Sequence, residues 1–196
     1  MSELLSQWSP GDRRGPGDDE DPRVHRTRQH VLQTARELLA EGGPPALTHT
    51  ALSARARVSR QTLYRYWPTP EDLVADLVRR RVTVPAGPAT DVATVLADYV
   101  RSLSAALADP AVHSAYAMLM AAAVADSAVA GVLHEVKEDR RAGLNERLAP
   151  WGCSVSTDEF AMVVGPVIYL VFIAHRPVTD EVVAMVVRDT VARLRV

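Results

Sequence analysis

The sequence predicts an all-α protein in which a small helical unit near the N-terminus precedes a larger helical domain. Two short segments with helical start signals stand only three residues apart around position 57. Further along, apolar residues recur at helical spacing between breaks at proline and glycine, and no stretch alternates as a strand does. With 196 residues, the chain is long enough for a small head and one larger domain with its own core.

Two hydroxyl residues, Thr48 and Ser59, predict where the short helices begin. A hydroxyl at such a position accepts a hydrogen bond from a backbone N–H that otherwise has no partner. We therefore expect helices over about 49–55 and 60–66. Only residues 56–58 lie between them, which leaves room for nothing longer than the sharp turn of a helix-turn-helix.

One helix is predicted on each side of this pair. Upstream, a helix begins at Asp21 and Pro22 and ends near Gly42, because glycine adopts the left-handed conformation that often closes a helix. Downstream, Thr69 caps a helix whose first residue is Pro70, and the acids of its first turn face the positive end of the helix dipole. This helix is expected to bridge both halves of the chain. The inner stripe of the upstream helix is Val31, Ala35, Leu38 and Leu39.

Charge is divided unevenly along the chain. Residues 23–82 hold eleven arginines and no lysine against five acidic residues, a net charge near +6. Residues 83–196 hold nine basic and thirteen acidic residues, although the whole chain has a net charge of only −2. A basic head on an acidic body favours binding of DNA phosphates by the head alone. An ordinary solvated arginine surface is the alternative.

The run from Val31 to Val78, VLQTARELLAEGGPPALTHTALSARARVSRQTLYRYWPTPEDLVADLV, resembles the N-terminal domain of the TetR family of transcriptional regulators. The shared features are a helix that ends near glycine, a threonine, a Val-Ser turn, and Thr-Leu-Tyr with an aromatic residue before the next helix. The resemblance implies a three-helix helix-turn-helix DNA-binding domain and a C-terminal helical ligand-binding and dimerisation domain. It also implies a homodimer, expected to be a repressor, that leaves a palindromic double-stranded operator when a small-molecule effector binds.

The expected divisions of the chain are a flexible tail over 1–21, the DNA-binding domain over 22–69, and the ligand-binding and dimerisation domain over 70–196. The tail is expected because residues 11–21 combine glycine, proline and charge without one apolar residue. Residues 1–21 also lack the long apolar core of a secretory signal, so none is expected.

By the same resemblance, the second helix of the motif enters the major groove. Donor and acceptor geometry suits Arg60 to guanine and Gln61 to adenine, with Thr62 beside them at the groove floor. Thr50 is expected to reach either bases or phosphates. Phosphate contacts are expected from Thr48, Tyr64, Arg65 and Tyr66. The alternative for the two tyrosines is packing on the helix below, and the alternative for Arg65 is a solvated charge.

Two positions depart from the family pattern. Arg57 stands where the turn usually has glycine, so it must either accept a left-handed conformation or alter the turn. Pro70 stands where the family often has a phosphate-binding lysine. Phosphate binding is therefore expected to shift to arginines elsewhere, with Arg26, Arg28 and Arg55 as candidates. The core of the motif is assigned to Leu63 and Trp67.

Five further helices are predicted in the second domain, over 91–107, 111–125, 126–148, 157–174 and 179–194. Residues 160–174 carry no charge, but this stretch is shorter than the roughly 20 residues of a membrane span, so no membrane role is expected. A helix that is apolar on nearly all sides is buried on nearly all sides. We therefore expect the last two helices to form a four-helix bundle with a second copy of the chain.

The resemblance places the effector among the helices of this second domain. Mixed aromatic, methionine and histidine linings suit apolar ligands with one or two polar anchors. His113 and Tyr116 lie on one helical face and are the preferred anchor pair. An ordinary place in the core or on the surface is the alternative for each candidate. The candidates are Tyr99, His113, Tyr116, Met120, Met162 and Tyr169, with Met118, His134 and Phe172 beside them.

The sequence favours no enzyme class, no cofactor and no metal. Six histidines are scattered, and His134-Glu135 lacks the second histidine of a helical zinc site. Cys153 is the only cysteine, which fits a reducing cytoplasm; a catalytic thiol paired with a distant histidine is the alternative. A helical enzyme or a structural adaptor without a DNA role leaves the residues from Arg60 to Tyr66 unexplained.

Overall fold

The computed structural model describes residues 22–79 and 89–194, and the predicted all-α fold is confirmed across these ranges. The predicted tail over 1–21 lies outside the described residues. The helices are α1 (Pro22–Gly42), α2 (His49–Ala56), α3 (Arg60–Tyr66), α4 (Pro70–Arg79), α5 (Val92–Ala108), α6 (Pro110–Ala123), α7 (Ser127–Leu148), α8 (Thr157–Ile168) and α9 (Asp180–Val191).

Side-chain caps fix the starts of α2, α3 and α4, as predicted, whereas the predicted cap of α1, Asp21, lies outside the described residues. The Thr48 hydroxyl accepts a hydrogen bond from the Ala51 N–H at 3.1 Å, and the Ser59 hydroxyl accepts one from the Thr62 N–H at 3.1 Å. Thr69 and Asp72 form a reciprocal pair at the start of α4, since the Asp72 carboxylate also accepts from the Thr69 N–H at 2.9 Å. These contacts satisfy N–H groups that the first turn of a helix leaves without partners.

The turn between α2 and α3 keeps its shape with an arginine in the glycine position. Arg57 adopts φ 55° and ψ 39°, the left-handed conformation, and its N–H donates to the Ser53 carbonyl. The Val58 N–H donates to the same carbonyl at 3.3 Å, and the Ser53 hydroxyl donates to the Val58 carbonyl at 2.7 Å. The turn geometry is therefore retained at the cost of a strained backbone at Arg57.

A small core holds the first three helices together. Val31, Ala35 and Leu39 of α1 are buried, and they form one cluster with Leu52 of α2 and Leu63 of α3. Leu63 is fully buried and Trp67 is 3% exposed, which confirms their assignment to the core. The buried side of α3 is thus fixed, and Arg60, Gln61, Tyr64 and Arg65 face outward.

An ion pair between α1 and α4 borders this core. The Arg28 guanidinium lies 3.0 Å from the Asp76 carboxylate, and both side chains are largely buried. The Trp67 indole N–H donates to the same carboxylate oxygen at 3.2 Å. The Arg28 guanidinium also lies 5.8 Å from the centroids of the Tyr66 and Trp67 rings. These contacts tie α1, the end of α3 and α4 together.

The head and the body share packed surfaces. α4 buries Leu73, Val74, Leu77 and Val78, and α6 packs against both α1 and α4. Arg36 of α1 forms an ion pair with Asp109, whose carboxylate also caps α6 by accepting from the Ala111 N–H at 3.0 Å. α6 is therefore the main contact of the body with α1 and α4, and α7 adds a second contact through the ion pair of Glu135 with Arg79 of α4.

The body is built on α5, which packs against α6, α7, α8 and α9. Tyr99 of α5 meets Phe160 of α8 edge to face, with ring centroids 5.9 Å apart. After α8 the chain continues as a π-helical turn over Tyr169–Ile173. No helix in the described ranges is long and apolar enough to cross a membrane.

Replacing the strained turn residue tests the left-handed conformation. Arg57→Gly is expected to raise the free energy of unfolding by about 0.5–1 kcal/mol, because glycine adopts this conformation without the clash of a Cβ. Arg57→Ala keeps the Cβ and is the matched control, with an unchanged value expected. Chemical denaturation measures both. Equal stabilisation by glycine and alanine would show that the backbone at position 57 is unstrained.

Removing the shared carboxylate tests the ion pair beneath α3. Asp76→Ala leaves the buried Arg28 without that partner and the Trp67 indole without its acceptor, so a loss of about 3 kcal/mol is expected. The control is Glu135→Ala, which removes an exposed partner of Arg79 and should cost less than about 1 kcal/mol. Urea denaturation compares the two, and similar losses would contradict a special role for Asp76.

Candidate nucleic-acid interface and ligand cavity

The outer side of α3 and the start of α2 form a continuous polar surface. Leu63 and Trp67 bury one side of α3; between them, Tyr64 and Arg65 turn to solvent, while Tyr66 is half-buried. Arg60, Gln61 and Arg65 are exposed on this side, and Thr62 is half-buried. Thr48 and Thr50 are exposed on α2 and its cap. The structure thus brings the eight residues that the sequence predicts into one region of the head, which we call the α3 surface and define as Thr48, Thr50, Arg60, Gln61, Thr62, Tyr64, Arg65 and Tyr66.

Tyr64 stacks on His49, a residue for which the sequence predicted no role. Its ring stacks on the His49 imidazole, with centroids 4.4 Å apart and planes 20° apart, while 51% of the residue stays exposed. The His49 Nε2–H donates to the Trp67 carbonyl at 2.8 Å, which fixes the imidazole. In the sequence, only the position of His49 between Thr48 and Thr50, in the first turn of α2, indicates that it belongs to this surface.

Tyr66 is partly engaged in packing. It is half-buried against the core, and the guanidiniums of Arg28 and Arg65 lie 5.8 Å and 5.6 Å from its ring centroid. Its ring is thus a contact surface for cations, which are attracted to the negative face of an aromatic ring. This arrangement agrees with the packing alternative for Tyr66 and leaves its phosphate contact a prediction.

Two of the three threonine hydroxyls on this surface already have partners. Thr48 uses its oxygen to cap α2, and the Thr62 hydroxyl lies 2.8 Å from the Ser59 hydroxyl. A hydroxyl has one donor and two acceptor sites, so each keeps capacity for a DNA atom. Thr50 is exposed at the second residue of α2.

The expectation that other arginines replace the missing lysine is wrong for Arg28. Its guanidinium is buried and paired with Asp76, so it is not presented to DNA. Arg55 forms a bidentate pair with Glu41 at 2.5 and 2.6 Å, and this contact lowers the pKa of the Glu41 carboxyl. Arg26 is exposed on α1. The ion pairs depend on the approach of α1 to α2 and α4, which sequence spacing does not reveal.

A cavity of about 120 Å³ lies in the body, among α5, α6, α7 and α8. Two predicted ligand residues line it, namely Tyr99 of α5 and Tyr116 of α6. Its remaining lining comes from Leu103, Leu133, Val136, Lys137, Arg140, Phe160, Val164 and Ile168. The cavity is therefore largely apolar, with two phenols and two cationic side chains at its wall.

The other predicted ligand residues do not line this cavity. His113, the expected partner of Tyr116, instead stacks on the Phe172 ring with centroids 4.5 Å apart. Met162 is 49% exposed and Tyr169 is 58% exposed, both on the outer side of the α8 segment, and Met120 is half-buried on α6. Helical periodicity places residues on a face, but only the packing of helices decides which face surrounds a cavity.

Arg140 and Lys137 are cavity residues that sequence reasoning missed. They lie in a strongly charged part of α7, KEDRR, which by itself indicates a solvated face. The Arg140 guanidinium lies 5.0 Å from the Tyr116 ring centroid. Burial raises the pKa of Tyr99 and of Tyr116, and the nearby positive charge of Arg140 only partly opposes this shift. Both phenols are thus neutral hydroxyls near pH 7.

In the described part of the chain, no three histidine, cysteine, aspartate or glutamate side chains come together as possible metal ligands. Cys153 is buried, and its thiol lies 3.4 Å from the Trp151 carbonyl. Such a thiol is a packing residue rather than an accessible nucleophile.

Comparison with known proteins adds to this geometry. Residues 31–77 match the family model for bacterial regulatory proteins of the tetR family. No curated protein has a significantly similar sequence.

Solved structures share the fold over most of their length. A TetR transcriptional regulator from Agrobacterium tumefaciens is 20% identical, with 86% of this chain and 94% of that chain covered and a TM-score of 0.62. A putative TetR-family regulator from Mesorhizobium loti is 18% identical, with 90% and 100% covered and a TM-score of 0.64. The multidrug binding protein EbrR, complexed with proflavin, is 20% identical, with 84% and 99% covered and a TM-score of 0.58.

The match spans α2, α3 and most of α1 and α4, which are the helices that build and support the α3 surface. The family model identifies the head, and the solved structures extend the likeness of fold to the body. Residues 31–77 thus match the domain that the tetR family of bacterial regulatory proteins shares, and the chain as a whole has the fold of the solved TetR-family structures.

Proposed function

We propose that this protein is a cytoplasmic repressor that binds a palindromic operator as a homodimer and leaves it when a small molecule occupies the body. The observation that carries the proposal is the α3 surface, an exposed polar row on a helix whose opposite side is locked by Leu63 and Trp67. A helix held in this way presents fixed donors to a major groove, which is wide enough to admit it. We infer functional divisions at 22–69 for DNA binding and 70–196 for ligand binding and dimerisation.

Sequence readout is assigned to the first turn of α3. Arg60 and Gln61 are exposed there, and their side chains make bidentate contacts with guanine and adenine respectively. Thr62 lies at the same end of the helix. Tyr64 and Arg65 point from the next turn, where phosphate contacts would set the register of the head on the duplex. Within residues 22–79 and 89–194, neither Arg60 nor Arg65 forms an ion pair.

The face formed by α8 and α9 is proposed to pair with a second copy of the chain. Four large apolar side chains stay exposed on this face in one protomer: Met162 of α8, Tyr169 and Ile173 of the π-helical turn, and Met185 of α9. Their exposed fractions are 49, 58, 66 and 41%. Large apolar side chains clustered on adjacent elements indicate an interface. In a two-fold dimer both protomers present the same face, so the apolar sides of α8 and α9 in one protomer would cover those in the other.

The connection from cavity to head runs through α6. This helix carries the cavity residue Tyr116, contacts α1 and α4, and begins at Asp109, the ion-pair partner of Arg36. A ligand that moves α6 would therefore displace the head relative to the body and change the spacing of two α3 helices in a dimer. Release requires that the ligand bind the DNA-incompetent arrangement more tightly. EbrR has a similar fold and is complexed with proflavin, which supports a ligand-binding body here.

Direct readout by Arg60 is tested by selecting bound duplexes from a random pool with the wild-type protein and with Arg60→Ala. Loss of the guanidinium should remove the preference at one symmetric base pair, a discrimination of about 1–3 kcal/mol. Arg101→Ala removes an exposed arginine of the body and should leave the preference intact. An unchanged selected sequence for Arg60→Ala would remove Arg60 from base readout, and no selected duplex at all would count against DNA binding itself.

The dimer interface is tested by Tyr169→Glu, which places a charge in the apolar face. Sedimentation velocity is expected to show a dimer of the 21.3 kDa chain for the wild type and a shift to monomer for the variant. Val124→Glu is the matched control, because Val124 is 89% exposed and lies at the end of α6. A wild-type monomer at micromolar concentration, or a dimer that survives Tyr169→Glu, would contradict this interface.

A further inference from the structure

We propose that the cavity among α5, α6, α7 and α8 takes a small organic anion, namely an aromatic or short branched carboxylate. Its apolar part would fill the cavity, and its carboxylate would be held by Arg140 with the hydroxyls of Tyr99 and Tyr116. This inference rests on the ligand-binding role proposed for the body and specifies the chemical class of the effector.

Three polar groups at the cavity wall form no hydrogen bond of normal geometry within the described structure. They are the Tyr99 hydroxyl, the Tyr116 hydroxyl and the Nη2 of Arg140. Tyr99 is only 1% exposed and Tyr116 only 6% exposed. Buried polar groups in folded proteins are nearly always paired, because leaving one unpaired costs the free energy of its desolvation. Three unpaired groups around one cavity therefore indicate a polar ligand atom among them.

The charge at the wall points to an anion. Within the described ranges, no carboxylate forms an ion pair with Arg140; the neighbouring Glu138 carboxylate pairs with Arg141 at 2.8 Å and with Lys137 at 3.5 Å. The Arg140 guanidinium instead lies over the Tyr116 ring. A guanidinium in a partly buried position is stabilised by a carboxylate, to which it donates two parallel hydrogen bonds.

The protonation states of the phenols agree with this assignment. Burial keeps Tyr99 and Tyr116 neutral, so each offers an O–H donor to the cavity. A carboxylate accepts up to about four hydrogen bonds on its two oxygens. It can therefore pair with Arg140 and both hydroxyls at once, whereas a neutral amide offers one acceptor oxygen and adds N–H donors that face these donors.

The size and the remaining lining define the rest of the ligand. The cavity has a volume of about 120 Å³, somewhat below the roughly 150 Å³ of an engineered apolar cavity that binds benzene. Its apolar wall comes from Leu103, Leu133, Val136, Phe160, Val164 and Ile168. One aromatic ring or a short branched alkyl group therefore fits, and a larger ligand would have to expand the site.

Binding at this position would also act on the helix that meets the head. Tyr116 lies two turns along α6 from Asp109, which pairs with Arg36 of α1. A carboxylate that draws Tyr116 and Arg140 together would shift α6 against α7. These contacts give the anion a direct mechanical connection to the DNA-binding head.

The test is calorimetric titration of the full chain with sodium benzoate and with benzamide, its neutral isostere. Benzoate is expected to bind with a Kd of about 1 mM or tighter, in keeping with its few atoms, and benzamide at least about tenfold more weakly. Arg140→Gln should weaken benzoate at least about tenfold. The control Arg101→Gln changes an arginine that lines an open groove beside α9 and should leave benzoate binding unchanged.

Several results would overturn the proposal: no benzoate binding at about ten times the expected Kd, equal affinities for both probes, or loss of benzoate binding in Arg101→Gln but not in Arg140→Gln. If Arg140→Gln does not fold, as judged by circular dichroism, Tyr99→Phe with Tyr116→Phe decides. This double variant keeps the cavity shape and should weaken benzoate several-fold; unchanged affinity would sink the proposal.

A separate DNA titration distinguishes this inference from the proposed function. Benzoate binding that depends on Arg140 in a protein that binds no duplex would support the anion site and overturn the regulator role. A protein that binds its selected duplex and is released by a neutral ligand, with no response to benzoate, would retain the regulator role and overturn the anion site.

Discussion

The orientation of the α3 surface depends on the contact of Arg28 and Trp67 with one carboxylate, that of Asp76. Arg28 belongs to α1, Trp67 ends α3, and Asp76 lies midway along α4, so three elements meet at a single oxygen. A buried ion pair adds little net stability compared with apolar packing, but it penalises any arrangement that separates its partners. The pair therefore selects one packing of α3 on α1 and α4, and the outward direction of Arg60, Gln61 and Tyr64 follows from that packing.

The same contact limits how the head can move. Since the Asp76 carboxylate joins α4 to α1 and to the end of α3, a displacement of α4 would move α3 with it. α4 also packs on α6 of the body, and α1 meets α6 through Arg36 and Asp109. The head thus meets the body mainly through α6, with a second contact between α4 and α7, so a rearrangement of α6 would act on the helices that support the α3 surface.

The body retains features that stability alone does not explain. Two buried phenol hydroxyls and a guanidinium nitrogen at the wall of an apolar cavity form no hydrogen bond of normal geometry. Burying each of them unpaired raises the free energy of the folded chain. Large apolar side chains also stay exposed along α8 and α9. A protein tolerates such groups where another molecule completes them. On our proposals, the first set is completed by an anion and the second by another copy of the chain.

The sequence by itself determined the local structure of the head. Thr48, Ser59 and Thr69 mark helix starts because a cap is a contact over three residues, and α3 was predicted with the bounds that the structure has. Apolar spacing likewise identified Leu63 and Trp67 as core residues. The family resemblance singled out Arg57 as either a left-handed residue or the site of an altered turn, and the structure has the left-handed conformation.

Only the tertiary structure decided the interactions between distant residues. Arg28 is an unremarkable helical arginine until α4 brings Asp76, 48 residues away, into contact with it. Tyr99 and Arg140 likewise meet one cavity only because α5 and α7 pack together, and the charged sequence around Arg140 indicates solvent exposure. Periodicity fixes the faces of a helix, but the docking of those faces is set by the summed packing of all helices, which no local pattern contains.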